Sequence, residues 1–191
     1  ASGVDVVVHI AGLINAPDRE AFEAVNVGGT AAMIDAARAA GVRRFVHISS
    51  LAAREPELSD YGRSKARSER VVAASGLDWT VIRPPAVYGP READIFTFFK
   101  TVSRGLCPVV GDPDVPALTL VHVRDLVAGM LLAADRPEAV GQTYFFGSPR
   151  DYSWGEIRDA TARALGRRVF TLRIPRALVG SIGAVSEVAG R

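Results

Sequence analysis

The sequence predicts an α/β fold: a doubly wound parallel sheet followed by a smaller lobe. Three observations carry this expectation. Short β-branched runs alternate with longer segments of helical periodicity, an order that implies parallel strands joined by right-handed crossovers. The runs are apolar throughout rather than alternating, which suits a sheet covered by helices on both faces. Hydrophobic residues make up 48% of the 191 residues and charged residues 23%, a balance that supplies a core and excludes a disordered chain.

Residues 4–10 (VDVVVHI) predict the first strand, ended by Ala11 and Gly12. Their length and β-branching favour strand over helix. Residues 20–40 carry Phe22, Val25, Ala32, Met33, Ala36 and Ala37 at helical spacing, and Gly41 stops them. Gly28 and Gly29 lie inside this helix. Each weakens it by about 1 kcal/mol, and the pair is expected to mark close packing against a neighbour. Residues 43–49 (RRFVHIS) predict the second strand and residues 59–74 the second helix, with a loop containing Pro56 between them. Residues 79–83 predict a third strand, halted by Pro84 and Pro85. Further on, residues 94–104, 124–134 and 154–165 read as helices, and residues 118–123 and 143–146 as strands. Residues 171–174 suggest a short strand, and Pro175 suits the first turn of a final helix. Pro and Gly cluster between 83 and 116, so the smaller lobe is expected to begin there. The expected division is residues 1–90, forming the main sheet, and residues 91–191, a mixed region. The latter combines the smaller lobe with strands near 118–123 and 143–148 that return to the sheet.

Composition excludes several classes. The net charge is +2, with both signs interspersed and no cationic run beside aromatic residues, so nucleic acid is not an expected partner. No run of about 18 uncharged apolar residues exists, so no membrane span is expected. Asp5 interrupts the first apolar run, which argues against a signal peptide there. Cys107 is the only cysteine. It suits a reducing, cytoplasmic setting and reads as a small buried hydrophobe. His9, His47 and His122 stand in apolar strands without Cys or paired carboxylates nearby, so no metal is expected. Asp125 reads as the acidic first-turn residue of a helix. Trp79, Trp154, Phe96, Phe98 and Phe99 read as core or pocket wall, and Arg167 and Arg168 as solvated.

Only two of the 23 cationic residues are lysines, Lys65 and Lys100. Lys65 lies four residues after Tyr61, on one face of a predicted helix. Ser49 and Ser50 end a strand just upstream. In a parallel sheet, the C-terminal end of a strand and the first turn of the next helix meet at the ligand edge. Ser, Tyr and Lys are therefore expected to converge on one small pocket. A phenol titrates near pH ~10. A neighbouring ammonium favours the phenolate, which makes the tyrosine a usable acid–base group at neutral pH. The Ser hydroxyl can hold the reacting oxygen.

Residues 61–65 (YGRSK), preceded by Ile48-Ser49-Ser50, resemble the active site of the short-chain dehydrogenase/reductase family. Residues 5–12 (DVVVHIAG), 26–30 (NVGGT), 81–90 (VIRPPAVYGP) and 118–127 (LTLVHVRDLV) resemble successive elements of its extended branch, which includes NAD-dependent epimerases and dehydratases. The resemblance covers nearly all of the chain. It implies a Rossmann-like, doubly wound parallel sheet with a small C-terminal substrate lobe. Residues 1–90 would then be the C-terminal half of the dinucleotide-binding domain, from the fourth strand onward. It implies a cofactor, NAD or NADP, and a small-molecule substrate. By motif, Tyr61 would donate or accept the proton. Lys65 would lower the Tyr61 pKa and bind the nicotinamide ribose, and Ser50 would position the substrate oxygen. Ser49 would face the cofactor, and Asn26 would support the lysine through water. Ala11 and Gly12 would pass the adenosine side, and Pro84, Pro85 and Val87 would border the nicotinamide.

Two departures from the family pattern stand out. The Gly-rich turn that receives the pyrophosphate at a helix N-terminus has no counterpart in these residues, so the first strands of the sheet are missing from the sequence. The free edge of strand 4–10 is therefore expected to be covered by another segment or chain, a homodimer being one form of that pairing. The second departure is Ala86, where relatives acting on sugar nucleotides commonly carry Asn; the loop from Ser50 to Tyr61 is also shorter than theirs. These features favour an oxidoreductase acting on a hydroxyl or carbonyl. The alternatives are a sugar-nucleotide epimerase or dehydratase and a non-catalytic scaffold or inert fragment. Scaffolds of this kind often lose the Tyr or Lys, and both are retained here.

Overall fold

The computed structural model describes residues 3–174. The expected helix opened by Pro175 lies outside them. The chain divides into two compact units. One comprises residues up to Val87 together with Val121–Gly147; the other comprises Tyr88–Leu120 and residues from Ser148 onward.

The first unit is built on a four-stranded, wholly parallel sheet in the order β1-β2-β3-β8. Its strands are β1 (Val6–His9), β2 (Arg44–Ile48), β3 (Asp78–Arg83) and β8 (Gln142–Phe145). The register sets Val8 opposite Val46, His47 opposite Val81, and Arg83 opposite Phe145. Side chains alternate across β2, and both faces are covered. Phe45 joins Ile34, Ala37, Val42, Val72 and Val81 on one face. Val46 and Ile48 join Ile82, Val121, Leu126 and Met130 on the other. Burying each such side chain contributes roughly 1.5–3 kcal/mol, so the apolar runs hold the sheet from both sides. Among the described residues β1 has no partner on its outer edge, where Val8 and Ile10 are exposed.

Helices α2 (Gly29–Ala39) and α3 (Asp60–Ala73) supply side chains to the first face, and α5 (Val123–Asp135) to the second. Arg44 fastens α5 to the sheet: its guanidinium donates to the carbonyls of Ala133 and Ala134, in the helix's last turn, and to the Thr80 hydroxyl. His122 caps the start of α5 by accepting from the Arg124 amide, and Asp125 lies in its first turn.

Residues 20–40 differ from the single helix that periodicity predicts. They form α1 (Arg19–Phe22), a π-helical stretch Glu23–Gly28, and α2. The expected close packing at Gly28 and Gly29 is absent. A Cβ at Gly29 would meet nothing within 4 Å, and one at Gly28 only the Glu23 carbonyl at 3.9 Å. The glycines stand instead at the junction where the wider turn tightens into α2.

The second unit contains α4 (Asp94–Ser103), β5 (Leu106–Val110), β6 (Pro116–Leu118), β9 (Tyr152–Ser153), α6 (Trp154–Leu165) and β10 (Phe170–Ile174). β5 pairs in parallel with β10, and β6 antiparallel with β9. The single strand expected at 118–123 is two, because the run is split into β6 and β7 (Leu120–His122); β7 pairs with β4 (Ala86–Tyr88). Cys107 is fully buried with Val102 and Val109, and Phe98 packs on Trp154 at 4.8 Å. Phe98 is thus part of this core.

Candidate active site

Two caps bring the candidate residues to the C-terminal ends of β2 and β3. Ser50 follows β2 in an extended conformation and caps the 3₁₀ turn Leu51–Arg54, its hydroxyl accepting from the Ala52 amide at 3.2 Å. Ser59 caps α3 in the same way, accepting from the Gly62 amide at 3.0 Å. Such caps satisfy amides that a helix start leaves unpaired. The two turns touch at Gly62, where a Cβ would lie 2.7 Å from the Ala52 carbonyl oxygen. Only glycine allows this approach, and it sets Tyr61 beside the turn that Ser50 begins. The Tyr61 ring is half-buried and leans on Phe22, 6.1 Å between centroids.

Lys65 is 4% exposed. Its Nζ donates to the Ile48 carbonyl at 2.8 Å, which ties the amine to the last residue of β2. Burial pulls its pKa from 10.5 to about 8, and the charge of Glu69 opposes that fall. The amine is therefore still largely charged at neutral pH, yet close to losing its proton.

Gly12 lies next to this amine. A Cβ at Gly12 would come within 2.9 Å of Asn26 Oδ1 and 3.8 Å of Lys65 Nζ. Asn26, from the π-helical stretch, organises the loop: its Oδ1 accepts from the Leu13 amide, and its Nδ2 donates to the Leu13 carbonyl and to Ser64 Oγ. π-helical turns recur at functional sites. Here the wider turn carries a buried asparagine whose amide is fully engaged.

His9 and His47 stack near Lys65, 5.5 Å apart. Burial and then the Lys65 charge lower the pKa of both, that of His47 well below the ordinary value, with His9 adding to the effect on His47. Ser68 donates to the Lys65 carbonyl, so its oxygen accepts from His47 Nε2; His47 Nδ1 is buried without a hydrogen-bond partner. Both imidazoles are thus pushed toward the neutral form. Below about pH 6.5 an unfolded chain binds protons that these folded imidazoles refuse. The stability they contribute is thus complete above that pH and is lost as pH falls. Calorimetry between pH 8 and 5 should give a level melting temperature above pH 7 and a decline below about pH 6. A level midpoint down to pH 5 would show imidazoles that charge freely in the folded state.

A cavity of about 490 Å³ opens beside Ser50. Leu51, Ala52, Leu58, Pro85 and Ala86 line it, with Ser59, Arg54 and Glu55. Pro84 is buried, and its carbonyl accepts from the Leu51 amide at 2.9 Å, holding the start of the Ser50 turn against the end of β3. Val87 packs on the second-face core and Ala11 is exposed after β1.

The comparisons with known proteins bear on this arrangement. The chain matches the model of the NAD dependent epimerase/dehydratase family over residues 1–147. The chain belongs to that family. It is 37% identical over 189 residues to a ceramide reductase of Caulobacter vibrioides, covering 98% of this chain and 58% of the relative. It is 29% identical over 216 residues to a UDP-glucose 4-epimerase of Vibrio cholerae, covering 97% of this chain and 66% of the relative. The chain thus spans between about a third and two thirds of the length of the curated relatives it matches. Among solved structures it is similar to MoeE5 in complex with UDP-glucose and NAD, at 25% identity and a TM-score of 0.79, covering 91% of this chain and 67% of that one. A UDP-glucuronic acid 4-epimerase from Bacillus cereus, at 18% identity and a TM-score of 0.81, shares the fold.

Within the epimerase/dehydratase family frame, the structure gathers Gly12, Asn26 and Lys65 in one cluster and Ser50, Pro85 and Ala86 around one cavity. Ser49, expected to face the cofactor, is buried with its hydroxyl committed to Glu69. Asn26 is bonded directly to Leu13 and Ser64. Sequence reasoning missed Glu69, whose position four residues after Lys65 was its one visible signal, and Gly62, whose need for close approach appears only once the two turns are seen together.

No helix of the described residues is long and apolar enough to cross a membrane, and no group of three metal-ligating side chains occurs among them.

Proposed function

We propose that these residues are the catalytic part of a NAD(P)-dependent oxidoreductase that interconverts a hydroxyl and a carbonyl on an apolar small molecule. The observation that carries this reading is the cavity at Ser50, where Leu51, Ala52, Leu58, Pro85 and Ala86 form an apolar wall and Ser59, Arg54 and Glu55 the rest of the lining. A sugar nucleotide needs polar partners for its hydroxyls, and Ala86 offers none where related sugar-nucleotide enzymes commonly carry Asn. The 37% identity to a ceramide reductase supports a lipid-like carbonyl substrate. A reducing, cytoplasmic setting is in keeping with the single, buried Cys107.

The residues present fit the nicotinamide side of such a cofactor. The side-chain-free surface at Gly12 leaves open the space beside Lys65 Nζ that a Cβ would fill. Lys65 keeps donors beyond the one used on Ile48, and would hold the nicotinamide ribose; Pro84, Pro85 and Val87 would border the ring. The cofactor, when bound, supplies the hydride chemistry. The protein's own work is acid–base and positional. Tyr61 gives the proton to the substrate oxygen in reduction and takes it in oxidation. The Lys65 ammonium stabilises the phenolate left behind. Ser50 holds the substrate oxygen toward Tyr61.

The test begins with thermal shift against NAD⁺, NADP⁺ and their reduced forms, since a ligand that binds only the folded state raises its midpoint. Nicotinamide absorbance is then followed with a long-chain ketone and, separately, with UDP-glucose. Net oxidation of the reduced cofactor by the apolar ketone is expected. Epimerisation of UDP-glucose without net cofactor turnover would overturn the assignment.

A further inference from the structure

Glu69 lies at the centre of a polar cluster that the roles assigned above leave out. It stands one helical turn beyond Lys65 on α3, with a side chain only 11% exposed. Arg83, at the end of β3, grips it with both ends of its guanidinium: Nε to Oε1 at 2.8 Å and Nη2 to Oε2 at 2.5 Å. The Ser49 hydroxyl, just past β2, donates to the same Oε1. The guanidinium also faces the ring of Phe145, at the end of β8, 5.3 Å from its centroid. One carboxylate thus ties α3 to the ends of β2 and β3, and its partner Arg83 reaches the end of β8.

An ion pair this enclosed is a weak source of stability, because desolvation offsets most of the attraction. Its placement is more telling. Ser49 is flanked by Ile48, whose carbonyl holds the Lys65 amine, and by Ser50, which opens the substrate cavity. We propose that Glu69 is a positioning residue for Lys65, holding the ends of β2 and β3 that seat the amine and placing a carboxylate one helical turn from it. The proposal rests on the oxidoreductase reading for its purpose.

The surroundings of Lys65 make this charge matter. His9 from β1 and His47 from β2 are pushed toward the neutral form, Asn26 contributes an uncharged amide, and Tyr61 shares its helix face. Arg83 from β3 is ion-paired to Glu69, so removing that carboxylate also leaves the Arg83 charge unopposed. Burial lowers the Lys65 pKa to about 8 and Glu69 opposes it.

The chain has two lysines, so protein labelled with ¹³C-lysine gives two sets of side-chain signals, with exposed Lys100 as internal reference. In Glu69→Gln the Lys65 titration midpoint should fall below its value in the unaltered chain, with Lys100 unmoved. Glu69→Asp, which keeps the charge on a shorter stem, should restore part of that fall. Should Glu69→Gln not fold, Glu69→Asp alone is read, and a smaller fall in the same direction supports the role. An unchanged Lys65 midpoint in the folded variants would overturn it. This titration needs no turnover, so it stands or falls apart from the catalytic reading, which a fully active Tyr61→Phe would sink.

Discussion

Tyr61→Phe is expected to cut turnover by on the order of 10²–10⁴-fold, the usual worth of a placed acid–base group. The variant removes one oxygen and keeps the ring. The ring is what packs, leaning on Phe22 at 6.1 Å, and the cap at Ser59 and the close approach at Gly62 use backbone and other side chains. Folding should therefore be untouched, with a melting temperature equal to that of the unaltered chain. Cofactor affinity should also hold, because the proposed ribose contact belongs to Lys65. Steady-state rates together with cofactor titration separate these outcomes. Activity surviving in Tyr61→Phe would remove the tyrosine from proton transfer and with it the proposed chemistry.

The parts of this molecule that were legible in its sequence are those where local signals agree. Residues 43–49 read as a strand through Phe45, Val46 and Ile48, which are buried, and β2 falls within them. Residues 59–74 open on Ser59, which does cap α3. α6 starts where Ser153 and Glu156 form a capping box and ends at Gly166 in the left-handed conformation, both readable signals. Less visible were elements fixed by tertiary pairing. β5 (LCPVV) contains Pro108, which reads as a breaker, but among the described residues the strand pairs only with β10 and can accommodate it at an edge. The π-helical stretch keeps an amphipathic helical pattern, so nothing in the spacing reveals its wider turns. The same divide runs through the site. Ser50, Tyr61 and Lys65 stood out because a short spacing on one helix and one strand end carries chemical sense. Glu69 looks like any helical surface charge until β3 brings Arg83 to it. Ser49 and Ser50 are indistinguishable as letters; the pleat sends the Ser49 hydroxyl to Glu69, while Ser50 lines the cavity.

Lys65→Arg is expected to fail as well, by about 10²-fold or more in turnover, since misplacement of around 1 Å at a reacting centre costs that much. The site is built for a compact amine. It is 4% exposed, bonded to the Ile48 carbonyl, and bordered by Gly12, where even a Cβ would crowd Asn26. A planar guanidinium is larger and cannot discard its charge, whereas the Lys65 amine, at a pKa of about 8, can. Lys65→Met separates the two effects. It removes a buried charge and keeps a flexible stem of similar length, so it should fold at least as stably as the unaltered chain while losing turnover. The alkaline limb gives an independent signature. Between about pH 8 and the ordinary lysine value near 10.5, the unfolded chain holds a proton that folded Lys65 has released, so stability should rise with pH across that window. Lys65→Met should lack that rise. Equal alkaline slopes in the two proteins would mean that the amine is not held in the desolvated seat on which its role depends.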